Sequence, residues 1–436
     1  MSRAVQRKEG MMKSSGRASQ SLWRDRAFLL FWSGRAISLL GTAMTAVVFP
    51  LLVYRLTRSP LLTALISVCD IAPYPVFALF AGALADRMNR RRLMITCDLV
   101  NAGLLGSIPL ASLWHILTLA QIYTVGLLSA TAFVWFDAAN FGAVPALVGR
   151  TRLIAANSAL WTASTLADIA GPSLAGLWVV LLGPALTISA DAASYLISAL
   201  SLALIPRALQ HLRQDEGRAQ PWSRKALAAI GEGQRFLWQH PLVRTLTLLG
   251  IGTALTAGAV QGLLVVYGIR ALGLATSDPR IGLLFAAGAT GALVSNLLLP
   301  VLVKHVAVGR ITMVALLLNL LLLFAVAMAP TFLFGMLCYG LWLGCNHLIN
   351  INGISLRQLV TPDHLQSRVN ASARMVMVAA NPVGAALGGV LAEQTTVRIA
   401  LLLMAAGVAV SLLLSWFSSL WQVQTPQEGE QEETPV

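Results

Sequence analysis

The chain of 436 residues is 57% hydrophobic and only 11% charged, and its mean hydropathy is +0.73. Soluble domains carry about 25% charged residues, so this composition excludes an ordinary soluble fold and indicates that lipid is the solvent. The formal net charge of +13 is divided among short patches between apolar runs, which argues against nucleic-acid binding, since that function concentrates cations on one face.

Twelve apolar segments are each long enough to cross a membrane, which takes about 20 helical residues. We number them spans 1 to 12. Their predicted ranges are 28–54, 60–85, 91–112, 117–138, 155–181, 184–206, 245–269, 280–302, 310–329, 331–355, 369–392 and 397–421. The basic segment 1–27 lacks the apolar core of a signal peptide, so we expect span 1 to insert uncleaved.

The spans group into two predicted six-helix bundles, at 28–206 and 245–421. The charged segment 207–244 between them has the Gln, Gly and Pro content of a linker, and the acidic segment 422–436 has the composition of a disordered tail. We expect segment 1–27, the linker and the acidic tail to be cytoplasmic.

The distribution of cations predicts this orientation, because cytoplasmic loops hold the excess of Lys and Arg. With the N-terminus inside, the inner tail and inner loops hold 25 of the 31 Lys and Arg residues, and the outer loops hold 5. Both termini are therefore predicted to face the cytoplasm of a cell or inner membrane.

The two halves of the chain also resemble each other. The pattern SPLLTALISV with RRRLMI at 59–95 parallels DPRIGLLFAA with GRITMV at 278–314, and the loop at 146–160 parallels the one at 358–372. Such a repeat predicts two parallel bundles related by a pseudo-twofold axis, which enclose a cavity that opens to either side when the bundles rock.

The loop between spans 2 and 3 carries the sequence GALADRMNRRR at 82–92. Gly82 permits close helix approach, a carboxylate at Asp86 favours a helix N-terminus, and Arg87, Arg90 and Arg91 stay at the headgroups. We predict that these five residues form a cytoplasmic gating loop.

This loop resembles the conserved G-x-L-a-D-R-x-G-R-R motif of the major facilitator superfamily. Asn89 replaces the usual glycine and, like glycine, tolerates a left-handed backbone. Shorter patterns, RAFLLFW at 26–32, VPALV at 144–148 and DAASY at 191–195, are similar to the branch with macrolide-efflux proteins and the enterobactin exporter. Thr42 and Asn101 depart from that branch, which often has Asp and Arg there.

Ionisable side chains inside a membrane cost about 2.5–3.5 kcal/mol each and mark candidate functional sites. Six of those in the predicted spans stand out: Arg35, Asp70, Asp98, Asp137, Asp168 and Asp191. Asp70 and Asp168 lie near mid-depth on helices that line the cavity in this fold, so they are the leading candidates for proton coupling. Arg35 is expected to pair with one of them, either as part of coupling or as a static ion pair. Asp98, Asp137 and Asp191 are second-rank candidates, for which we favour structural pairing.

Two sets of polar residues complete the predicted cavity. In span 5 they recur on one helical face, as Asn157, Trp161, Thr165, Asp168 and Pro172. This face either lines the substrate cavity or forms a polar seam between helices. In span 10, Asn346, His347 and Asn350 are candidate substrate or proton ligands, although a single histidine is more often a packing residue.

No cofactor or metal site is predicted, because the four cysteines lie singly in apolar segments and no catalytic motif occurs. We therefore predict a monomeric transporter of a small molecule, driven by a proton gradient, which exports a drug-like amphiphile or a siderophore. The alternatives are a proton-coupled nutrient importer and, in another class, a membrane enzyme or non-transporting sensor.

Overall fold

The computed structural model describes residues 22–85, 88–205, 224–362 and 365–418. All regular structure in these residues is helical, and twelve helices are long and apolar enough to cross a membrane. The observed spans 1 to 12 are Arg26–Thr57, Pro60–Phe77, Arg90–Leu113, Leu119–Val148, Leu153–Leu182, Pro184–Leu204, Pro241–Ala271, Arg280–His305, Val308–Ala327, Phe332–Val360, Arg368–Gln394 and Val397–Trp416. The predicted all-α membrane fold of twelve spans is confirmed.

Side-chain caps set where many of the spans begin. An N-cap oxygen accepts a hydrogen bond from a backbone N–H of the first turn, which has no partner inside the helix. The residues that do so with a hydroxyl or amide oxygen are Ser59, Asn89, Thr118, Thr331 and Thr396. Asn89 does not use the left-handed backbone that it tolerates: its φ is −70°, and its side-chain oxygen caps span 3 by accepting from the backbone N–H of Arg92.

Several helices differ in extent from the predicted spans. Span 2 is interrupted at Ala72 and continues as the helix Pro73–Ala85, since Pro73 has no N–H to donate within the helix. Span 4 extends to Val148 and span 10 to Val360, because their final turns pack into the apolar interior although they carry more polar residues.

The predicted linker contains a further helix, Arg224–Gln239, and span 7 begins directly after it at Pro241. Leu237 of this helix is buried in an apolar cluster with Val369 of span 11. An exposed ion pair of 2.5 Å between Arg368 and Glu232 accompanies the contact. The helix therefore docks on the second bundle.

The bundles meet at one end of the molecule, which we name the closed end. There the apolar clusters contain residues of both bundles: Val265 and Ile281 pack with span 1 and span 6 residues, and Tyr54 packs with spans 7 to 10. At the opposite end, the open end, each apolar cluster contains residues of a single bundle. The described structure is thus sealed on one side of the membrane.

Candidate functional site

A cavity of about 370 Å³ lies between the bundles. Spans 1 and 5 line it from the first bundle, and spans 7, 8 and 10 line it from the second. Its polar lining consists of Ser164, Thr165, Asp168, Gln261, Asn296 and His347, and its aromatic lining of Trp161, Phe285 and Tyr339. A mainly apolar cavity of this size with a few polar groups suits an amphiphilic small molecule.

Asp168 is the one carboxylate in the lining of this cavity. It lies at the middle of span 5, about 22 Å along the helix axis from Leu153. Its side chain is exposed to the cavity, and no hydrogen bond or ion pair joins it to any residue that the structure describes. An accessible carboxylate at mid-membrane without a partner is available to bind a proton or a cationic ligand.

The predicted face of span 5 turns largely into the cavity. Trp161, Thr165, Asp168 and Pro172 line it, and Trp161 keeps 74% of its surface exposed. The Thr165 hydroxyl donates to the Trp161 carbonyl at 3.0 Å, so its oxygen remains free to accept from a ligand. Asn157 is also exposed but lies a turn beyond this cavity, toward the open end.

The three predicted residues of span 10 separate in the structure. His347 lines the cavity from the second bundle, opposite the side that carries Asp168. Asn346 is buried, and Asn350 donates to its backbone and side-chain oxygens at 3.1 and 3.2 Å. His347 is therefore the one member of this group that the structure places against the cavity.

Asp70 lies two residues before the break in span 2 and is not part of this cavity lining. Its side chain is exposed, and it has no hydrogen-bond or ion-pair partner among the described residues. The structure therefore gives two accessible unpaired carboxylates, of which only Asp168 lines the cavity shared with His347.

Arg35 is buried inside the first bundle. Within the part of the chain that the structure describes, it forms no ion pair with Asp70 or Asp168, so the expected pairing is not seen. Its guanidinium lies over the rings of Phe133 and Phe136, at 5.5 and 4.7 Å from their centroids. These cation–π contacts join span 1 to span 4.

The remaining buried carboxylate, Asp191, joins span 6 to span 1. It accepts a hydrogen bond of 2.5 Å from the Thr45 hydroxyl and one of 3.1 Å from Ser194. Asp137 accepts from the Tyr74 hydroxyl at 3.4 Å. These contacts support the interpretation that Asp137 and Asp191 are paired for structural reasons, whereas in the described part of the chain neither carboxylate oxygen of Asp98 has a hydrogen-bond partner.

Polar contacts between the bundles hold the closed end together. Arg270 donates to the Tyr54 hydroxyl at 2.9 Å and to the Arg58 carbonyl at 2.6 Å. Across the same interface, Glu393 accepts from the Ser59 hydroxyl at 2.9 Å and from the Leu61 N–H at 3.3 Å. Glu393 of the second bundle therefore caps span 2 of the first, where its charge is favourable to the helix dipole.

An ion pair within the second bundle stands at the start of span 8. Arg280 donates to Asp278 at 2.6 to 3.0 Å, and these hydrogen bonds lower the pKa of the Asp278 carboxyl below its usual range. Asp278 precedes span 8, which faces span 5 at the closed end.

Backbone contacts between spans 5 and 8 are the tightest part of the closed end. A Cβ atom built on Gly282 would lie 2.0 Å from the Pro172 carbonyl oxygen, and one on Gly176 would lie 2.5 Å from that of Pro279. Only glycine permits this approach, so closure depends on these two positions.

The predicted gating loop is described in part. Gly82 lies near the end of the helix Pro73–Ala85, while Asp86 and Arg87 lie outside the described residues. Arg90 donates to the Gly142 carbonyl at 3.0 Å, and Arg91 donates to the carbonyls of Leu202 and Ala203. These arginines thus bind the open-end regions of spans 4 and 6, where Arg91 also complements a helix C-terminus.

Gln261 and Asn296 of the cavity were not predicted. Each is an amide side chain within a membrane span, where polar residues often form contacts between helices. Their residue type was therefore a signal in the sequence. The aromatic residues Phe285 and Tyr339 carry no such signal, because spans contain many similar residues.

The sequence was compared with known proteins. Residues 18–435 match the family described as "Transmembrane secretion effector". The enterobactin exporter EntS of Citrobacter koseri is 30% identical over 89% of this chain and 91% of its own length. The multidrug efflux pump Tap of Mycolicibacterium fortuitum is 26% identical over 81% of this chain and 86% of its own length.

Solved structures resemble the fold at lower identity. A bacterial homologue of the lysosomal transporter Spinster superposes with a TM-score of 0.73 and 12% identity over 94% of this chain and 100% of that one. A bacterial homologue of the iron transporter ferroportin superposes with a TM-score of 0.71 and 16% identity over 91% and 99%. This chain therefore shares its overall fold with both of these transporters.

Proposed function

The chain belongs to the transmembrane secretion effector family of the major facilitator superfamily, and we propose that it exports amphiphilic compounds in exchange for protons. It is a multi-pass membrane transporter and not an enzyme. The observation that carries the proposal is the exposed, unpaired carboxylate of Asp168 in a cavity that both bundles line.

The lining of the cavity supports an amphiphilic substrate. The aromatic rings of Trp161, Phe285 and Tyr339 offer apolar and cation–π surface, and Asp168 offers one negative charge. Gln261 and Asn296 add hydrogen-bonding groups. A drug-like cation fits this chemistry, and a siderophore is the second candidate because an enterobactin exporter is similar over 89% of the chain.

The proposed direction is outward, with the open end at the cytoplasm. The excess of Lys and Arg in the loops of the open end supports this orientation. In this state a compound enters from the cytoplasm and binds at Asp168, and the proton held there leaves to the cytoplasm. When the bundles rock and the closed end opens, an external proton binds Asp168 and the compound is released. One turn moves a proton inward and a compound outward.

The exchange needs no cofactor, and the proton gradient is the proposed source of energy. We also propose that the transporter works as a monomer, because both bundles that line the cavity are parts of the same chain. Asp70 is the proposed second proton site, because it is likewise accessible and unpaired. His347 is the proposed partner of Asp168 on the second bundle, where its imidazole hydrogen-bonds the substrate or passes the proton.

The experiment is transport in proteoliposomes with an imposed pH gradient. Ethidium serves as the lipophilic cation and enterobactin as the siderophore, in separate vesicles. We expect the gradient to drive one of the two against its concentration. Asp168→Asn should abolish this accumulation, while counterflow without a gradient should persist at a substrate concentration high enough to offset weaker binding. Asp191→Asn is the matched control, since Asp191 is a buried carboxylate already bonded to Thr45 and Ser194.

Asp70→Asn is measured in the same assay and tests the second site separately. Equal gradient-driven accumulation in the wild type, Asp168→Asn and the double variant would contradict coupling at these carboxylates. Accumulation in the direction of proton flow would contradict exchange.

A further inference from the structure

The residues that lead into span 1 are repeated before span 7. The dipeptide Leu-Trp at 22–23 recurs about 215 residues later at 237–238, in the same place relative to the first span of each bundle. We name residues 22–26 and 232–244 the entry segments. Both lie at the open end, because their leucines belong to apolar clusters of that end. Neither segment lines the transport cavity.

Each entry segment is joined to the fifth span of its own bundle. Asp25 forms an ion pair of 3.3 Å with Arg152, which directly precedes span 5. Glu232 forms the corresponding ion pair with Arg368, at the start of span 11. In both segments the leucine is buried beside that same fifth span. The two bundles therefore hold their entry segments by the same two kinds of contact.

The tryptophans of both segments remain on the outside. Trp23 keeps 50% of its surface exposed and Trp238 keeps 45%, although the leucine before each is buried. Trp23 also packs edge-on against the rings of Phe28 and Trp32, with centroids 5.9 and 5.2 Å apart. Indole has an apolar ring and a polar N–H, and such side chains concentrate where the bilayer meets water. An exposed tryptophan directly before a membrane span is therefore at the level of the lipid headgroups.

Two exposed arginines accompany each tryptophan. They are Arg24 and Arg26 in the first entry segment, and Arg235 and Arg244 in the second. Within the part of the chain that the structure describes, no ion pair or hydrogen bond occupies these four guanidinium groups. A guanidinium is planar and matches the geometry of a phosphate group. The four arginines are therefore available to an anion outside the protein.

We propose that the two entry segments are binding sites for anionic phospholipid headgroups, one site on each bundle. The arginines bind the phosphate, and the tryptophan packs against the glycerol and the first carbons of the acyl chains. Anionic lipids are favoured over zwitterionic ones because no carboxylate of the described chain neutralises these arginines. The matched positions hold both bundles to the same leaflet, whichever substrate is transported.

The test counts the lipids that the purified full-length protein retains, by native mass spectrometry from detergent solution. Phosphatidylglycerol is the anionic probe, and phosphatidylcholine with the same acyl chains is the zwitterionic one. We expect two molecules of phosphatidylglycerol to bind more tightly than any phosphatidylcholine. The pair Arg24→Gln and Arg26→Gln should weaken one site about 25-fold, and the pair Arg235→Gln and Arg244→Gln the other, because each arginine near a headgroup contributes about 5-fold.

Matched variants separate these sites from a general effect of charge. The pair Lys304→Gln and Arg310→Gln removes two exposed cations at the same end, between spans 8 and 9, and should keep both sites. Trp23→Ala and Trp238→Ala keep the arginines, and each should weaken one site. Soluble glycerol phosphate at the same concentration should displace neither lipid, because it has no acyl chains.

The altered side chains are exposed, so the melting temperature of each variant should stay that of the wild type. Equal affinity for the two lipids in the wild type would overturn the proposal. It would also be overturned by tight binding of phosphatidylglycerol when all four arginines are replaced, by an equal loss in the control pair, or by displacement with glycerol phosphate.

Discussion

Substitution of Gly282 by alanine tests how the two bundles close on each other. The added Cβ would lie 2.0 Å from the Pro172 oxygen, 2.8 Å from its carbonyl carbon and 3.3 Å from the Ser173 nitrogen. All three are backbone atoms, so no side-chain rotation relieves the contact. Ordinary contact begins at 3.4 Å, and spans 5 and 8 must therefore separate by more than 1 Å at this point.

We expect this separation to disfavour the closed end. Overpacking of a tight contact costs about 1–3 kcal/mol, which shifts an equilibrium between two states by about 5- to 150-fold. The helix itself is not weakened, because alanine has a higher helix propensity than glycine. The variant should therefore populate the state in which the closed end is open, with span 8 intact.

Spin labels measure this shift directly. One label replaces Ile116 in the loop between spans 3 and 4, and the other replaces Ser277 before span 8, in a background with the four native cysteines changed to serine. Both positions are exposed at the closed end, one on each bundle. Gly282→Ala should enlarge the population with a longer distance between labels. Gly103→Ala is the control, since its Cβ has no neighbour within 4 Å.

An unchanged distance distribution in Gly282→Ala would refute the argument that backbone contact between spans 5 and 8 determines closure. A change of equal size in Gly103→Ala would assign the effect to helix stability instead of to the interface.

Three further predictions concern single contacts. Glu393→Gln weakens the hydrogen bonds that Glu393 accepts from Ser59 and Leu61 across the closed end. Because these contacts are exposed, we expect the state with the closed end shut to lose up to about 1 kcal/mol. The same spin labels should show a modest rise in the population with the longer distance. Arg35→Gln removes the buried guanidinium that lies over the Phe133 and Phe136 rings and should destabilise the protein by about 2 kcal/mol. Thermal unfolding should show a smaller loss for Arg35→Lys, and equal stability of Arg35→Gln and the wild type would argue against these contacts. Asn89→Ala removes the cap of span 3 and should cost about 1 kcal/mol, whereas Asn89→Asp, which keeps an acceptor oxygen, should not lower the melting temperature.

Much of the fold could be predicted from the sequence, because membrane spans depend on local composition. A span needs about 20 apolar residues wherever it stands in the chain, so the twelve segments and their order were correct. The ends were less predictable. Span 4 continues to Val148 because its last turns are buried by neighbouring helices, which composition does not reveal. The helix Arg224–Gln239 likewise depends on a surface of span 11 for its packing.

The candidate site could be predicted only in part, because it is assembled from five spans. Helical periodicity in span 5 identified Trp161, Thr165 and Asp168 as one face, since those residues are neighbours along a single helix. The surroundings of Arg35 depend on packing between helices: in the part of the chain that the structure describes, its guanidinium lies over the rings of Phe133 and Phe136 and forms no ion pair with Asp70 or Asp168. No spacing along the chain encodes such a choice.

Proton release on substrate binding tests the central role of Asp168 most directly. Purified protein in weakly buffered solution is mixed with saturating ethidium or enterobactin, whichever the vesicle assay identifies, and a pH indicator records protons released. The account predicts that binding displaces the proton of Asp168, so the wild type acidifies the solution and Asp168→Asn binds without doing so. Equal acidification by the two proteins at equal occupancy would contradict exchange at this carboxylate.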